Sequence, residues 1–135
     1  MNWVGFQKEI IDLSKKIDYS PDILVGIVRG GIVPARILSS LLKVGDMYCL
    51  TVKKIGNNRR ITSIINEDIN NKKVLLVEDI LETGRSLITA KQYLENEGAI
   101  VKTACLYITN KSEIKPDYYL RKINEVVKFP WEYES

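Results

Sequence analysis

The chain contains no histidine, and with it goes the commonest general base and metal ligand. Mechanisms built on Ser-His-Asp or Cys-His arrangements are therefore excluded. Cysteine is scarce. Cys49 and Cys105 are the only two, they are too far apart for a metal-type spacing, and both lie in apolar runs ("MYCLTV", "TACLYI") that predict reduced, buried thiols. No apolar run approaches the roughly 20 residues that a membrane helix needs. The opening "MNWVGFQKEIIDLSKKI" carries acids early and lacks a long apolar centre, so it does not read as a signal peptide. The expectation is a cytoplasmic protein with no membrane partner. The charge excess is also small, +3, which suits an anionic ligand but is too weak to argue for nucleic acid. No internal repeat or low-complexity segment occurs.

What is present is ordinary for one globular domain: 135 residues, 45% hydrophobic and 27% charged, enough for a single core but not two. Val4, Phe6, Ile10, Ile11, Leu13 and Ile17 fall near helical spacing and predict an amphipathic helix over 3–17. "SPD" breaks it, and "ILVGIV" (23–28) reads as a strand buried on both faces. After the tight "RGG" loop, a second helix is expected with Pro34 in its first turn and Ile37, Leu38, Leu41 and Leu42 on one face. "MYCLTV" (47–52) predicts another strand, "KKIGNNRR" (53–60) a mobile basic loop and "ITSII" (61–65) a short strand. "VLLVED" (74–79) is a third buried strand, followed by a helix over 84–97 that Gly98 closes. "AIVKTACLYI" (99–108) reads as one strand, and "PDYYL" and "EVVKFPWE" as short strands in the tail. Strands alternating with helices give an α/β fold with a mostly parallel sheet. Ligands in such sheets bind beyond the carboxyl ends of the strands, which gathers "RGG", "KKIGNNRR" and "EDILETGRS" on one edge.

The third of these loops has a definite chemistry. Glu78 and Asp79 accept hydrogen bonds only, so they seek hydroxyls or a hard divalent cation. The "ETGRS" that follows leads into a helix N-terminus, where backbone N–H groups, the Thr83 and Ser86 hydroxyls and the helix dipole suit a phosphate. Acids beside a phosphate cradle describe a sugar phosphate.

The stretch "VLLVEDILETGRSL" (74–87) resembles the signature of the type I phosphoribosyltransferases: an apolar run, two acids, three spacer residues ending in an acid, then Thr-Gly and a hydroxyl residue. "GIVRGGIVPARILSSLL" (26–42) is similar to the family's first loop and following helix, so the likeness covers most of the chain. It implies a single-domain, Rossmann-like, mostly parallel sheet flanked by helices with a small C-terminal hood, the core spanning about 20–108 and a base-binding segment about 109–135. It implies an enzyme that displaces pyrophosphate from phosphoribosyl pyrophosphate (PRPP) by a base nitrogen, with Mg²⁺. Glu78 and Asp79 would bind the ribose hydroxyls, with Asp79 closest to the metal. Glu82, Thr83, Gly84, Arg85 and Ser86 would surround the 5′-phosphate. Arg29 and Gly30, in a strained step, and Lys53 would face pyrophosphate. Arg59 or Arg60 would stabilise the departing charge from a closing loop. Glu82, where the family usually has Asp, is the candidate proton acceptor near the base.

The C-terminal "PDYYL" and "VVKFPWE" resemble the short xanthine–guanine and hypoxanthine branch, which implies a 6-oxopurine substrate and nucleotide salvage. The lysine that this branch places after the preceding strand is replaced by Thr109, with Lys111 two residues on. The base-stacking aromatic falls at Val126, and Val127 would offer its backbone to the base edge. Trp131 is expected to pack rather than stack on the base. Small members of the family commonly pair, so a homo-oligomer is expected. Two alternatives stay open: a non-catalytic module that binds PRPP, and a transferase acting on another base.

Overall fold

The structure is a computed structural model that describes residues 1–125 and 127–133. Helix α1 (Trp3–Lys16) starts at Asn2, whose side chain accepts a 2.8 Å hydrogen bond from the Gly5 N–H, and ends on Lys15 and Lys16 against the negative end of the dipole. It is followed by β1 (Ile23–Val28), α2 (Ile32–Leu41), β2 (Asp46–Ile55), β3 (Asn58–Ile61), β4 (Lys73–Val77), β5 (Ile80–Leu81), α3 (Arg85–Asn96), β6 (Ile100–Ala104), β7 (Tyr107–Ile108) and β8 (Arg121–Lys122). The main sheet runs β3-β2-β1-β4-β6 and is parallel except for the β2–β3 pair. A second, small parallel sheet has the order β5-β7-β8. Among the described residues no helix is long and apolar enough to cross a membrane.

The period of two along a strand divides the core cleanly. Ile23, Val25, Ile27, Val74 and Leu76 pack with Leu87, Ala90 and Leu94 of α3. Leu24, Leu75 and Val77 face the other way, against Phe6, Ile10 and Leu13 of α1 and Ala35 and Leu38 of α2. Both strands are therefore covered on both faces, which is why they read as unbroken apolar runs. Strand β1 pairs with β2 on one side and β4 on the other, and the register sets Gly26 beside Val77. From β1 the chain adds β2 on one side of the sheet and later β4 on the other, so the crevice between β1 and β4 at their carboxyl ends is the topological switch point where α/β ligands sit.

Several expectations are corrected. "KKIGNNRR" is not a loop: Lys53–Ile55 end β2 and Asn58–Arg60 begin β3, a hairpin turning at Gly56 (φ +60°) and Asn57. Of "ITSII" only Ile61 is in a strand. The run 99–108 is two strands, because Cys105 breaks from β6 and donates its N–H to Tyr118 O. In the tail Tyr118 makes a single bridge to Ala104 and β8 is the only strand among the described residues. Phe129–Glu132 form a turn. Cys105 is buried as expected, but Cys49 is exposed. Met47, on the same side of β2, still packs against the α1–α2 cluster. Val4 and Leu41 also face solvent, at 76% and 40% exposure, on the outer sides of α1 and α2.

Candidate functional site

The strand carrying the acids does not stop cleanly at Val77. Glu78 N–H donates to Ala104 O and Leu106 N–H to Asp79 O, both at 3.0 Å, so the two acids are held beside β6 while the chain turns. Their carboxylates curl onto their own backbone: Asp79 N–H donates to Glu78 Oε1 at 3.2 Å and Ile80 N–H to Asp79 Oδ1 at 2.6 Å. Across the switch point, Gly30 lies directly over Asp79. A Cβ on Gly30 would stand 2.6 Å from Asp79 Cγ and nearer still to an oxygen, so any side chain there would displace the Asp79 carboxylate. One peptide earlier than the Arg29–Gly30 step, the Val28–Arg29 bond is cis.

Burial pushes the Glu78 carboxyl well above the usual carboxylate range, and the adjacent Asp79 charge pushes it further. Burial also raises Asp79, with a smaller contribution from Glu132. A carboxyl with a raised native pKa holds more protons in the folded chain than in the unfolded one. Its stabilisation is full at acid pH and falls as pH rises from the ordinary carboxyl pKa of about 4 through the native value. Glu78→Gln should therefore raise the melting temperature relative to the unmodified protein at about pH 8 and leave little difference near about pH 4. Thermal melts at the two pH values check this, and an equal shift at both would contradict it.

Beyond the acids, Gly84 takes φ +78° at the start of α3, a left-handed value that suits glycine, and any Cβ there would meet Ile114 Cγ2 at 2.6 Å. The turn aims the first N–H groups of α3 into a cleft of about 330 Å³ lined by residues 78–87 with Lys54 and Arg59. Of the neighbouring clefts that share a wall with it, two meet it at an acid. One of about 650 Å³ is lined by Arg29, Gly30, Asp79, Trp131, Glu132 and Tyr133. The other, about 180 Å³, is lined by Glu82, Thr109, Asn110, Lys111, Ile123, Asn124 and Glu125. Asp79 belongs to the first pair of clefts and Glu82 to the second, so three compartments run in series along the carboxyl edge of the sheet.

The expected residues are thus largely brought together: Arg29, Gly30, Glu78, Asp79, Glu82 to Ser86, Arg59 and Lys111 all line these clefts. The hairpin separates the basic residues. Lys54 pairs across the strands with Arg59 and Lys53 with Arg60, and alternation turns the two pairs to opposite faces. Lys54 and Arg59 reach the central cleft; Lys53 and Arg60 are not among its lining residues. Lys54 escaped the sequence reading because a loop has no alternation to exploit. Thr109 Oγ1 lies 3.1 Å from Leu81 O and 2.9 Å from Glu82 O, so its hydroxyl serves the backbone. Val127 packs against the core cluster of α1 and α2, and Val126 lies outside the described residues. Trp131 does pack, stacked on Phe129 at 4.8 Å and edge-on to Phe6 at 4.9 Å, while also lining the cleft of Arg29 and Gly30. Asn110, Asn124 and Glu132 are cleft residues that the sequence reading left unassigned.

The acid pair also fits a hard cation. Mg²⁺ takes few protein ligands, typically one or two carboxylates, and completes its shell with water and phosphate oxygens. Glu78 and Asp79 are two such carboxylates, raised in pKa and so eased by a positive charge. Among the described residues no cluster of three or more His, Cys, Asp or Glu side chains collects into a self-sufficient metal cage.

Comparison with known proteins adds the following. The model of the phosphoribosyl transferase domain matches residues 3–135. The chain is 33% identical over 139 residues to the hypoxanthine-guanine phosphoribosyltransferase of Lactococcus lactis, covering 91% of this chain and 74% of that protein. It is 35% identical over 104 residues to the orotate phosphoribosyltransferase of Sulfurisphaera tokodaii, covering 76% of this chain and 50% of that one. The chain therefore spans about half the length of the orotate relative. Among solved structures, the purine phosphoribosyltransferase of Pyrococcus horikoshii OT3 superposes with a TM-score of 0.92 at 31% identity, over 100% of this chain and 94% of that one.

Proposed function

The chain belongs to the phosphoribosyl transferase domain family, and from that premise we propose that it transfers the phosphoribosyl group of PRPP to a 6-oxopurine base, releasing pyrophosphate. The observation that carries the proposal is the series of three clefts joined at Asp79 and Glu82. Pyrophosphate, ribose 5-phosphate and base are likewise three groups in series, joined at the anomeric carbon.

In this assignment Glu78 and Asp79 accept hydrogen bonds from the ribose hydroxyls. Thr83, Ser86 and the N-terminal N–H groups of α3 hold the 5′-phosphate. Arg29 and the backbone at Gly30 face the pyrophosphate, and Lys54 with Arg59 on the hairpin bring positive charge to the neighbouring sugar-phosphate cleft. Mg²⁺ at the acid pair would supply further positive charge to the pyrophosphate oxygens. Glu82, at the wall between the sugar and base compartments, accepts the proton that the attacking base nitrogen sheds. Lys111 donates to an exocyclic oxygen, which favours an oxo base over an amino one. Bond breaking at the anomeric carbon leaves an oxocarbenium-like sugar, so most of the acceleration comes from positioning and electrostatics, and no histidine is needed.

The test is incubation with Mg²⁺, PRPP and, separately, hypoxanthine, guanine, xanthine, adenine, uracil and orotate, with nucleotide products separated by chromatography. Product with one or more of the three 6-oxopurines is expected. Product only with adenine, uracil or orotate would overturn the base assignment, and no product with any base would overturn the transferase.

A further inference from the structure

Arg85 opens α3 beside the phosphate loop, and one nitrogen of its guanidinium is engaged by an acid outside that loop. Its Nε donates to Glu113 Oε2 at 2.7 Å. Glu113 is itself fixed, its backbone N–H donating to Thr83 O at 2.8 Å. Arg85 stands on the partition between two clefts, lining both the phosphate cleft and an outer groove with Asn57, Asn58, Arg59, Ile88 and Thr89. Glu113 lines the outer groove only. The carboxylate therefore draws the guanidinium away from the place where a phosphate would sit.

We propose that Glu113 is a positioning residue that acts through Arg85, holding it off the 5′-phosphate and so limiting how tightly that group is gripped; the inference rests on the functional assignment above. The 5′-phosphate is common to substrate and nucleotide product. Extra affinity for it binds both alike, and uniform binding lowers KM without lowering the chemical barrier while delaying product release. An arginine free to form a charge-assisted bond to phosphate would add such affinity. A half-exposed ion pair is a weak tether, which is enough to bias the guanidinium without fixing it. Glu113→Gln keeps the side chain's length and an acceptor for Arg85 but removes the charge that competes with phosphate.

The experiment is calorimetric titration of ribose 5-phosphate into the unmodified protein, Glu113→Gln, Arg85→Gln and the double variant, with PRPP turnover measured in parallel. Glu113→Gln should bind ribose 5-phosphate about three- to tenfold more tightly, and the double variant no more tightly than Arg85→Gln alone. In turnover, KM for PRPP and kcat should fall together in Glu113→Gln, and Glu113→Asp, which restores the charge, should return both toward the unmodified values. Equal or weaker binding by Glu113→Gln, or a gain that survives without Arg85, would overturn the proposal while leaving the transferase assignment standing. Failure of the unmodified protein to bind either ribose 5-phosphate or PRPP would overturn both.

Discussion

Asp79→Asn should leave the fold in place and lower kcat/KM for PRPP by about 10²–10³-fold, the usual consequence of removing one group that stabilises charge at the reacting centre. Among the described residues Asp79 is the one shared by the cleft of residues 78–87 and the cleft of Arg29 and Gly30. The amide keeps the shape and can still accept the 2.6 Å bond from Ile80 N–H through its oxygen. What it loses is the negative charge that a ribose hydroxyl or a divalent cation answers. Because burial holds the Asp79 carboxyl above its usual range, the charge costs the empty protein stability at neutral pH. Asn should therefore match or exceed the parent's melting temperature at about pH 8 while turnover collapses. Steady-state kinetics with thermal melts check both halves. Near-normal turnover, or a loss of turnover accompanied by unfolding, would contradict the role given to Asp79.

Gly30→Ala should reduce kcat/KM for PRPP by a comparable factor, about 10²-fold, without any charge being altered. The added methyl would occupy space that the Asp79 carboxylate fills, 2.6 Å from its Cγ. Asp79 is short, its Oδ1 is tied to Ile80 N–H, and its backbone is pinned by Leu106 N–H. It can yield only by breaking the first bond and swinging the carboxylate out of the shared wall. The two substitutions should consequently be non-additive, the double variant being little worse than Asp79→Asn alone. Kinetics on the four proteins measure this, and multiplicative losses would show that Gly30 acts by a route other than Asp79.

The elements buried on both faces were the legible ones. Ile23–Val28 and Val74–Val77 declare themselves because a strand covered by helices on each side needs apolar residues at every position. The acid pair and "ETGRS" stood out for a different reason: taken alone they also suit a solvated turn and a helix cap, and it is their full order that resembles the family signature. The β2–β3 hairpin was not legible. Lys53 to Ile55 and Asn58 to Arg60 are largely exposed, and no polar–apolar alternation marks them as strands. The turn at Gly56-Asn57 was their one local signal, and the composition of the segment outweighed it. The split at Cys105 was hidden for another reason. It depends on Tyr118, which arrives from further along the chain to bridge Ala104 and accept from Cys105 N–H. The pairing of Arg85 with Glu113, 28 residues apart, is invisible for the same cause. Long-range contacts leave no periodicity.

The central claim is that the three clefts form a site for transfer, not for binding alone. Its most direct measurement is pyrophosphate release from PRPP and Mg²⁺ with and without hypoxanthine, guanine or xanthine present. Transfer predicts release that depends on the base and matches nucleotide formed one for one. PRPP binding without base-dependent release would contradict it.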